Sequence, residues 1–250
     1  MDEIVRQAVA RAIVTMRDNL GERLTIDDLA RAAMFSKFHF TRVFLRVTGL
    51  SPGRFLSALR LAEAKHLLAT TAISVADISH QVGYNSVGTF SARFSGSVGV
   101  SPSGYRQLHG MAPRIADRQA QPGSGATVRG QLRVSVPAEV GPVFVGLFAA
   151  RITEGAPARH AILPGPGPYA LTDVPLGSWY VLTHAFGTCP HDGTQGLRPF
   201  TGLTGPVTVH RGVTASLADV RLRPRHGFDP PVLLALPSLR QAALTRSIAS

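Results

Sequence analysis

The chain has 250 residues, 44% of them hydrophobic and 16% charged, which is long enough for two ordinary domains and too apolar for a disordered protein. Its 26 Lys+Arg against 15 Asp+Glu give a formal net charge of +11, which favours an anionic partner, with nucleic acid ahead of a membrane surface. The single cysteine, Cys189, excludes an intrachain disulfide, and no apolar run reaches the roughly 20 residues of a membrane span, so we expect a cytoplasmic protein.

The first 110 residues show the apolar spacing of helices. Ile4, Ala8 and Ala12 begin this pattern, and Gly21 is a natural stop for the first helix. Thr25 and Ser74 are each followed three residues later by an aspartate, a spacing typical of helix N-caps. A longer helix is predicted over residues 53–70. We therefore expect residues 1–110 to form one helical domain.

The composition and the spacing of apolar residues change near Met111. Residues 111–126 are polar and rich in Gly and Pro, which predicts a linker. Short β-branched or alternating runs punctuated by Gly and Pro then predict an antiparallel β-sandwich over residues 127–224, followed by a tail at 225–250 with a short helix. The predicted strands are 128–136, 143–148, 169–174, 179–186, 207–210 and 215–222.

An internal repeat at an offset of 50 residues is the most specific feature of the helical half. Its frame consists of Ser36, Phe40, Phe44, Gly49, Ser51 and Pro52, which return as Ser86, Phe90, Phe94, Gly99, Ser101 and Pro102. Upstream of this frame the offset is 49, so one residue is added in the second turn. That turn carries Gly83, where a positive φ has no steric cost, whereas Met34 or Phe35 occupies the same region of the first copy.

Each copy has the build of a helix-turn-helix, a short capped helix followed by a tight turn and a longer helix. Such units place the second helix in the major groove of DNA. The phenylalanines four residues apart face the core, which leaves an outward polar stripe suited to phosphates and base edges. In the first copy that stripe is Ser36, Lys37, Thr41 and Arg42. The alternative is a helical-repeat scaffold in which the same stripes serve only packing.

The motifs of residues 4–108 resemble the AraC/XylS DNA-binding domain. The similar segments are Ile26-Asp-Asp-Leu-Ala-Arg-Ala-Ala33, Phe35-Ser-Lys-Phe-His-Phe-Thr-Arg-Val-Phe44, Val75-Ala-Asp-Ile-Ser-His-Gln-Val-Gly-Tyr84 and Val98-Gly-Val-Ser-Pro-Ser-Gly-Tyr-Arg106. The resemblance implies a seven-helix domain that binds double-stranded promoter DNA, activates more often than it represses, and works with RNA polymerase. A seven-helix double helix-turn-helix domain followed by a β-sandwich is the fold that we expect.

The resemblance also assigns candidate base-reading positions. It places Phe38, Thr41 and Arg42 on the reading face of the first copy. On the second copy the matching face is formed by Val87, Gly88, Ser91 and Ala92, where the family usually has basic or amide side chains. Arg93 is displaced by one position, and Ser95-Gly96 replaces the usual basic pair. The predicted interface is therefore Ser36, Lys37, Phe38, Thr41, Arg42, Ser86, Val87, Gly88, Ser91 and Arg93.

Residues 127–224 resemble transthyretin-like, carboxypeptidase-regulatory sandwiches. The resemblance rests on Gly167-Pro-Tyr-Ala-Leu-Thr-Asp-Val-Pro-Leu-Gly-Ser-Trp-Tyr-Val-Leu182 and on the run from Val207 to Leu217. It implies a module that binds a small-molecule effector or mediates self-association. The fold alone does not specify which of these functions the module has. The competing hypothesis is a carbohydrate- or protein-binding module whose helical half is only a scaffold.

Neither catalysis nor a metal site is predicted. The sequence lacks a Gly-x-Ser-x-Gly elbow, a Walker A loop and a His-Glu-x-x-His helix, so we expect no enzyme and no cofactor. His184, Cys189, His191 and Asp192 fall close together, but a lone cysteine is usually a small buried hydrophobe, so a polar loop is the preferred interpretation. Core packing is preferred over ligand stacking for Tyr169, Trp179, Tyr180 and Phe186.

Overall fold

The computed structural model describes residues 3–111, 115, 125–189, 196–211, 215–236 and 238–249. The chain divides into two compact units. The first, the helical unit, consists of Met1–Ala112 and His226–Ala235, and the second, the β unit, consists of Pro113–Arg225 and Leu236–Ser250. Most of the predicted linker, including 116–124, lies outside the described residues.

The helical unit contains seven helices in its described part. They are α1 (Glu3–Asp18), α2 (Ile26–Ala32), α3 (Lys37–Thr48), α4 (Pro52–Thr70), α5 (Val75–Gln81), α6 (Val87–Val98) and α7 (Pro102–Gln107). Both predicted N-caps form. Thr25 caps α2 in a reciprocal box with Asp28, and the Ser74 hydroxyl accepts from the backbone N–H of Asp77. The capping pattern therefore fixes where each repeat begins.

The two phenylalanine stripes are the core of the repeats. All four rings are fully buried, and the ring centroids lie 5.4 Å apart for Phe40 and Phe44 and 5.6 Å apart for Phe90 and Phe94. The separation of four residues puts both rings of a copy on one face of its helix. Because these stripes turn inward, the opposite faces of α3 and α6 are left toward solvent.

The turns between the paired helices use the left-handed backbone region at equivalent positions. Gly83 has φ +84°, and Met34, 49 residues earlier, has φ +59°. A glycine adopts this conformation without penalty, whereas a side chain at such a φ costs about 1 to 2 kcal/mol. Met34 is the residue that accommodates the missing glycine of the first copy, and its side chain is exposed.

The β unit contains eight strands and one helix in its described part. They are β1 (Ala126–Val134), β2 (Glu139–Phe148), β3 (His160–Leu163), β4 (Pro168–Val174), β5 (Gly177–Thr188), β6 (Arg198–Val209), β7 (Ala215–Leu217), β8 (Val220–Pro224) and α8 (Leu239–Ala249). The strand order is β3-β2-β5-β6-β8-β1-β4, with β7 pairing with β1. Tyr169 and Trp179 are buried in its core, as predicted, and Tyr180 and Phe186 are partly buried.

The prediction of a purely antiparallel sandwich is wrong at β1. This strand pairs in parallel with β7 through Thr127–Arg129 and with β8 through Leu132–Val134, while its pairing with β4 is antiparallel. The result is one mixed sheet that curls until its end strands β3 and β4 contact each other. Strand direction was misjudged because alternation along a strand does not encode the direction of its neighbour.

No helix within the described ranges is long and apolar enough to cross a membrane.

Candidate nucleic-acid interface

The outward face of α3 gathers the predicted residues of the first copy. Ser36, the N-cap, and Lys37, Phe38 and Arg42 are exposed, and Thr41 is partly exposed. Phe38 is 86% exposed, which is unusual for an aromatic side chain in a unit with a well-formed core. The face therefore offers a cation, a hydroxyl and an apolar ring within two turns of one helix.

Two contacts hold the start of this face. The Lys37 ammonium lies 3.1 Å from a carboxylate oxygen of Asp27 in α2, and the Thr41 hydroxyl donates to the Lys37 carbonyl at 2.9 Å. The ion pair is exposed and contributes little to stability, but it directs the lysine across the turn. Arg42 is exposed and has the length and the donor fork needed to reach a base edge.

The outward face of α6 lies at the equivalent positions of the second copy. It has fewer side chains than the face of α3 that can bond or pack against a base. Ser86 caps α6 by accepting from the Thr89 backbone N–H at 3.4 Å. Gly88 and Ala92 occupy the positions of Phe38 and Arg42 and are exposed. Val87 and Ser91 are partly exposed. This face presents backbone and small side chains where α3 presents a ring and a guanidinium.

Arg93 lies beside the outward stripe of α6 and not on it. Its equivalent in the first copy is Val43, which is buried in the core, whereas Arg93 is exposed. One residue corresponds to about 100° around a helix, so the guanidinium leaves α6 at the side of the stripe formed by Gly88 and Ala92. This position is suited to a neighbouring phosphate more than to a base edge.

Two arginines bind backbone carbonyls around the connecting helix α4. Arg60 donates to the carbonyls of Leu20 at 2.9 Å and Glu22 at 2.6 Å, and burial lowers the pKa of its guanidinium. Arg106 of α7 donates to the carbonyls of Leu68 and Ile73. Charge-assisted bonds of this kind are stronger than neutral ones, so Arg60 ties α4 to the segment before α2, and Arg106 ties α7 to α4 and to the segment before α5.

The interpretation of the sequence missed the third aromatic residue of each repeat. Phe55 packs edge-on against Phe44 with centroids 5.4 Å apart, and Tyr105 packs edge-on against Phe94 at 5.7 Å. Burial raises the pKa of Tyr105 to about 12. The signal was available, since residues 55 and 105 are also separated by 50. The starts of α4 and α7 therefore belong to the repeat as well.

The polar group considered for a metal is only partly described. His191 and Asp192 lie outside the described residues. Cys189 is buried, and a ring nitrogen of His184 lies 2.6 Å from the Thr153 hydroxyl. Among the described residues, no group of three His, Cys, Asp or Glu side chains is arranged to hold a metal ion.

Comparison with known proteins identifies the helical unit. Residues 29–108 match the model of a helix-turn-helix domain family. The chain is 32% identical over 115 residues to the HTH-type transcriptional activator AarP of Providencia stuartii, covering 43% of this chain and 85% of AarP. It is 39% identical over 92 residues to the MmsAB operon regulatory protein of Pseudomonas aeruginosa, covering 37% of this chain and 30% of that protein.

Solved structures also align with part of the chain. An AraC-type transcriptional regulator from Chromobacterium violaceum aligns at 27% identity with a TM-score of 0.41, covering 42% of this chain and 93% of that one. The DNA-binding domain of AdpA, solved in complex with a target DNA, aligns at 29% identity with a TM-score of 0.39, covering 40% of this chain and 91% of that one.

AarP decides the assignment, because its identity to this chain extends over most of its own length. Both relatives are named as transcription regulators. The helical unit is therefore more than a scaffold. The chain belongs to the AraC/XylS family of DNA-binding transcription regulators.

Proposed function

We propose that the chain reads double-stranded promoter DNA by inserting α3 and α6 into two successive major-groove segments. The observation that carries this proposal is the pair of exposed faces at equivalent positions of a repeat, each opposite a buried phenylalanine stripe. The helix α4 connects them. Its 19 residues correspond to about 28 Å, comparable with the roughly 34 Å of one DNA turn.

The two recognition helices, α3 and α6, contribute unequally to base recognition in this proposal. Arg42 pairs with guanine O6 and N7, a contact worth about 1 to 3 kcal/mol of discrimination. Thr41 adds a hydroxyl or methyl contact, and Phe38 contributes an apolar surface. Gly88 and Ala92 have no side-chain donor or acceptor, so α6 holds phosphates through its N-terminal amides and Arg93. Base selection therefore comes mainly from α3.

Arg42→Ala and Arg93→Ala separate these roles when binding is measured against operators mutated in each half. We expect Arg42→Ala to relax sequence preference in one half by about 1 to 3 kcal/mol, and Arg93→Ala to weaken all sequences about equally. Arg17→Ala is the matched control, because it removes an exposed cation from α1, outside the proposed interface. If Arg93→Ala relaxes preference at defined bases, the asymmetry is wrong.

Activation is the second part of the proposal. AarP is named a transcriptional activator, and the Staphylococcus xylosus relative is named a lactose operon transcription activator. We infer that this chain also activates, through contact with RNA polymerase on cytoplasmic promoter DNA. A reporter gene behind a promoter that carries a duplex selected by this chain tests this inference. Lower expression of the reporter with the protein than without it would identify a repressor.

The β unit serves in this proposal as a sandwich-like module that binds a small-molecule effector or mediates self-association. It has a complete core of its own, with Val128, Val181 and Leu222 fully buried. Sedimentation of the full chain across a hundredfold concentration range distinguishes these roles. A rising mass supports self-association, and a constant mass leaves effector binding as the role of the unit.

A further inference from the structure

We propose that the segment His226–Ala235, here called the strap, positions the second recognition helix α6 on DNA, with Lys65 as its anchor. This inference rests on the proposed function, and it concerns residues that the sequence assigned only to a tail. The strap belongs to the helical unit although more than one hundred residues separate it from α7. Its role is therefore part of DNA reading and not of the β unit.

The strap is docked by apolar burial. Leu233, Leu234 and Ala235 expose at most 3% of their surface, as little as the phenylalanine core. The Leu234 Cδ1 atom lies 3.5 Å from the position that a Cβ on Gly99 would occupy, so this leucine packs against the end of α6. At the other end, the Arg6 guanidinium of α1 lies 5.3 Å from the centre of the Phe228 ring.

Lys65 recognises the backbone of the strap. Its ammonium nitrogen lies 3.0, 2.8 and 3.3 Å from the carbonyl oxygens of Val232, Leu233 and Leu234. These residues form neither helix nor strand, so their carbonyls need donor partners from elsewhere, and an ammonium has three N–H donors to offer. The Tyr105 ring lies 5.7 Å from the same nitrogen. The residue keeps intermediate exposure, but burial of its amine lowers the pKa of Lys65 to about 7.

The strap also completes the C-terminus of α6. The last carbonyls of a helix lack partners within the helix, and the Ala235 N–H donates to the Val98 carbonyl at 2.9 Å. Gly99 ends the helix with φ +90° and donates to the Ser95 carbonyl. Because Lys65 is in α4 and Val98 ends α6, the strap joins the connecting helix to the second recognition helix. Loss of the strap removes this joint.

Amine labelling of the full chain tests whether the strap is docked in solution. Lys37 and Lys65 are the only lysines of the sequence, so exposed Lys37 is an internal control. After each rate is divided by the fraction of that amine that is unprotonated at the labelling pH, we expect Lys65 to react with an acetylating N-hydroxysuccinimide ester at least about tenfold more slowly than Lys37. Leu234→Asp should remove this protection. Val232→Asp, at a partly exposed position of the strap, should largely keep it. Equal corrected rates in the wild type would overturn the proposal.

The positioning role is tested with two duplexes. One is selected by the full chain from a random pool, and the other is shortened to the segment read by α3. The wild type should bind the longer duplex at least about tenfold tighter, with a steeper dependence on salt. Leu234→Asp and Lys65→Met should abolish most of this preference, and the slope of log affinity against log salt should fall by about 0.9 for each phosphate that α6 no longer neutralises. A change in fold stability alone does not alter the slope.

The remaining outcomes are also decisive. Arg17→Met, which removes an exposed cation away from the strap, should keep both the preference and the slope. If Leu234→Asp does not fold, Lys65→Met alone decides, because methionine retains the apolar stem. A variant with the strap released and an unchanged preference for the longer duplex contradicts the positioning role. If selection from the random pool yields no duplex that the wild type prefers, the proposed function itself is contradicted, which separates the two failures.

Discussion

At the scale of single residues, the turn of the second repeat depends on a glycine with no room for a side chain. A Cβ on Gly83 would lie 2.5 Å from the Leu20 carbonyl oxygen and 2.8 Å from the Arg60 guanidinium, at a φ of +84°. The sequence predicted this turn because glycine at this point of a helix-turn-helix signals a positive φ. It left Met34 and Phe35 as alternatives in the first copy, since side chains of either type carry the same penalty.

Gly83→Ala should destabilise the helical unit by more than about 2 kcal/mol, because the backbone conformation and the Leu20 carbonyl both oppose a methyl group. Chemical denaturation of the full chain, followed by circular dichroism in the helical region, measures the change. Gly96→Ala is the matched control, since it lies in α6 with open space around the new Cβ. It should raise stability by about 0.5 to 1 kcal/mol. Similar losses of stability for both variants would contradict the requirement for glycine at residue 83.

The capping box at α2 has a pH dependence of known sign. Hydrogen bonds from the Thr25 hydroxyl and then from its backbone N–H lower the pKa of Asp28 below its ordinary value of 3.8. A carboxylate with a lowered folded pKa stabilises the fold above its unfolded pKa, and this contribution disappears as pH falls through the folded pKa. Asp28→Asn should therefore be less stable than the wild type at pH 7, with the difference shrinking below about pH 4. A difference that is constant from about pH 7 to about pH 3 would contradict this assignment.

At the scale of elements, helices were predictable and strand partners were not. The helices of the repeats begin at Ser and Thr caps and end at Gly49 and Gly99, and these are local signals that a sequence carries. In the β unit, β3 was missed because it is a four-residue edge strand without alternating burial. The predicted strand 207–210 is the end of the longer β6, and 215–222 divides into β7 and β8. Pairing and direction depend on distant residues, which local patterns do not record.

The N-cap serines of the repeats should differ in their energetic contributions. Ser101 accepts from the Gly104 N–H at 3.1 Å at the start of α7, whereas in the described structure Ser36, the N-cap of α3, makes no side-chain capping bond. Ser101→Ala should therefore cost about 1 kcal/mol of unfolding free energy, while Ser36→Ala should be nearly neutral. Denaturant titration of the two variants side by side measures the difference. Equal costs would show that Ser36 caps α3 in solution.

At the scale of the whole molecule, the sequence predicted two kinds of unit and missed how the chain is shared between them. The loss of helical spacing of apolar residues near Met111 correctly separated the helices α1–α7 from the strands that follow them. It gave no sign that His226–Ala235 packs within the helical unit, because a short apolar segment between prolines is compatible with either core. The buried leucines and the contacts of Lys65 are tertiary facts that no local pattern contains. The exposure of the outward faces of α3 and α6, in contrast, was predictable, because the phenylalanine stripes of the repeat fix which side of each helix is buried.

Hydroxyl-radical footprinting of the full chain on its selected duplex tests the central claim most directly. If α3 and α6 enter successive major-groove segments, two protected patches should appear on one face of the duplex, centred about 10 base pairs apart. Selection should show strong base preference under one patch and weak preference under the other, since Arg42 has only Ala92 as its counterpart. A single protected patch, or two patches on opposite faces of the duplex, would contradict the claim that one chain reads DNA with both helices.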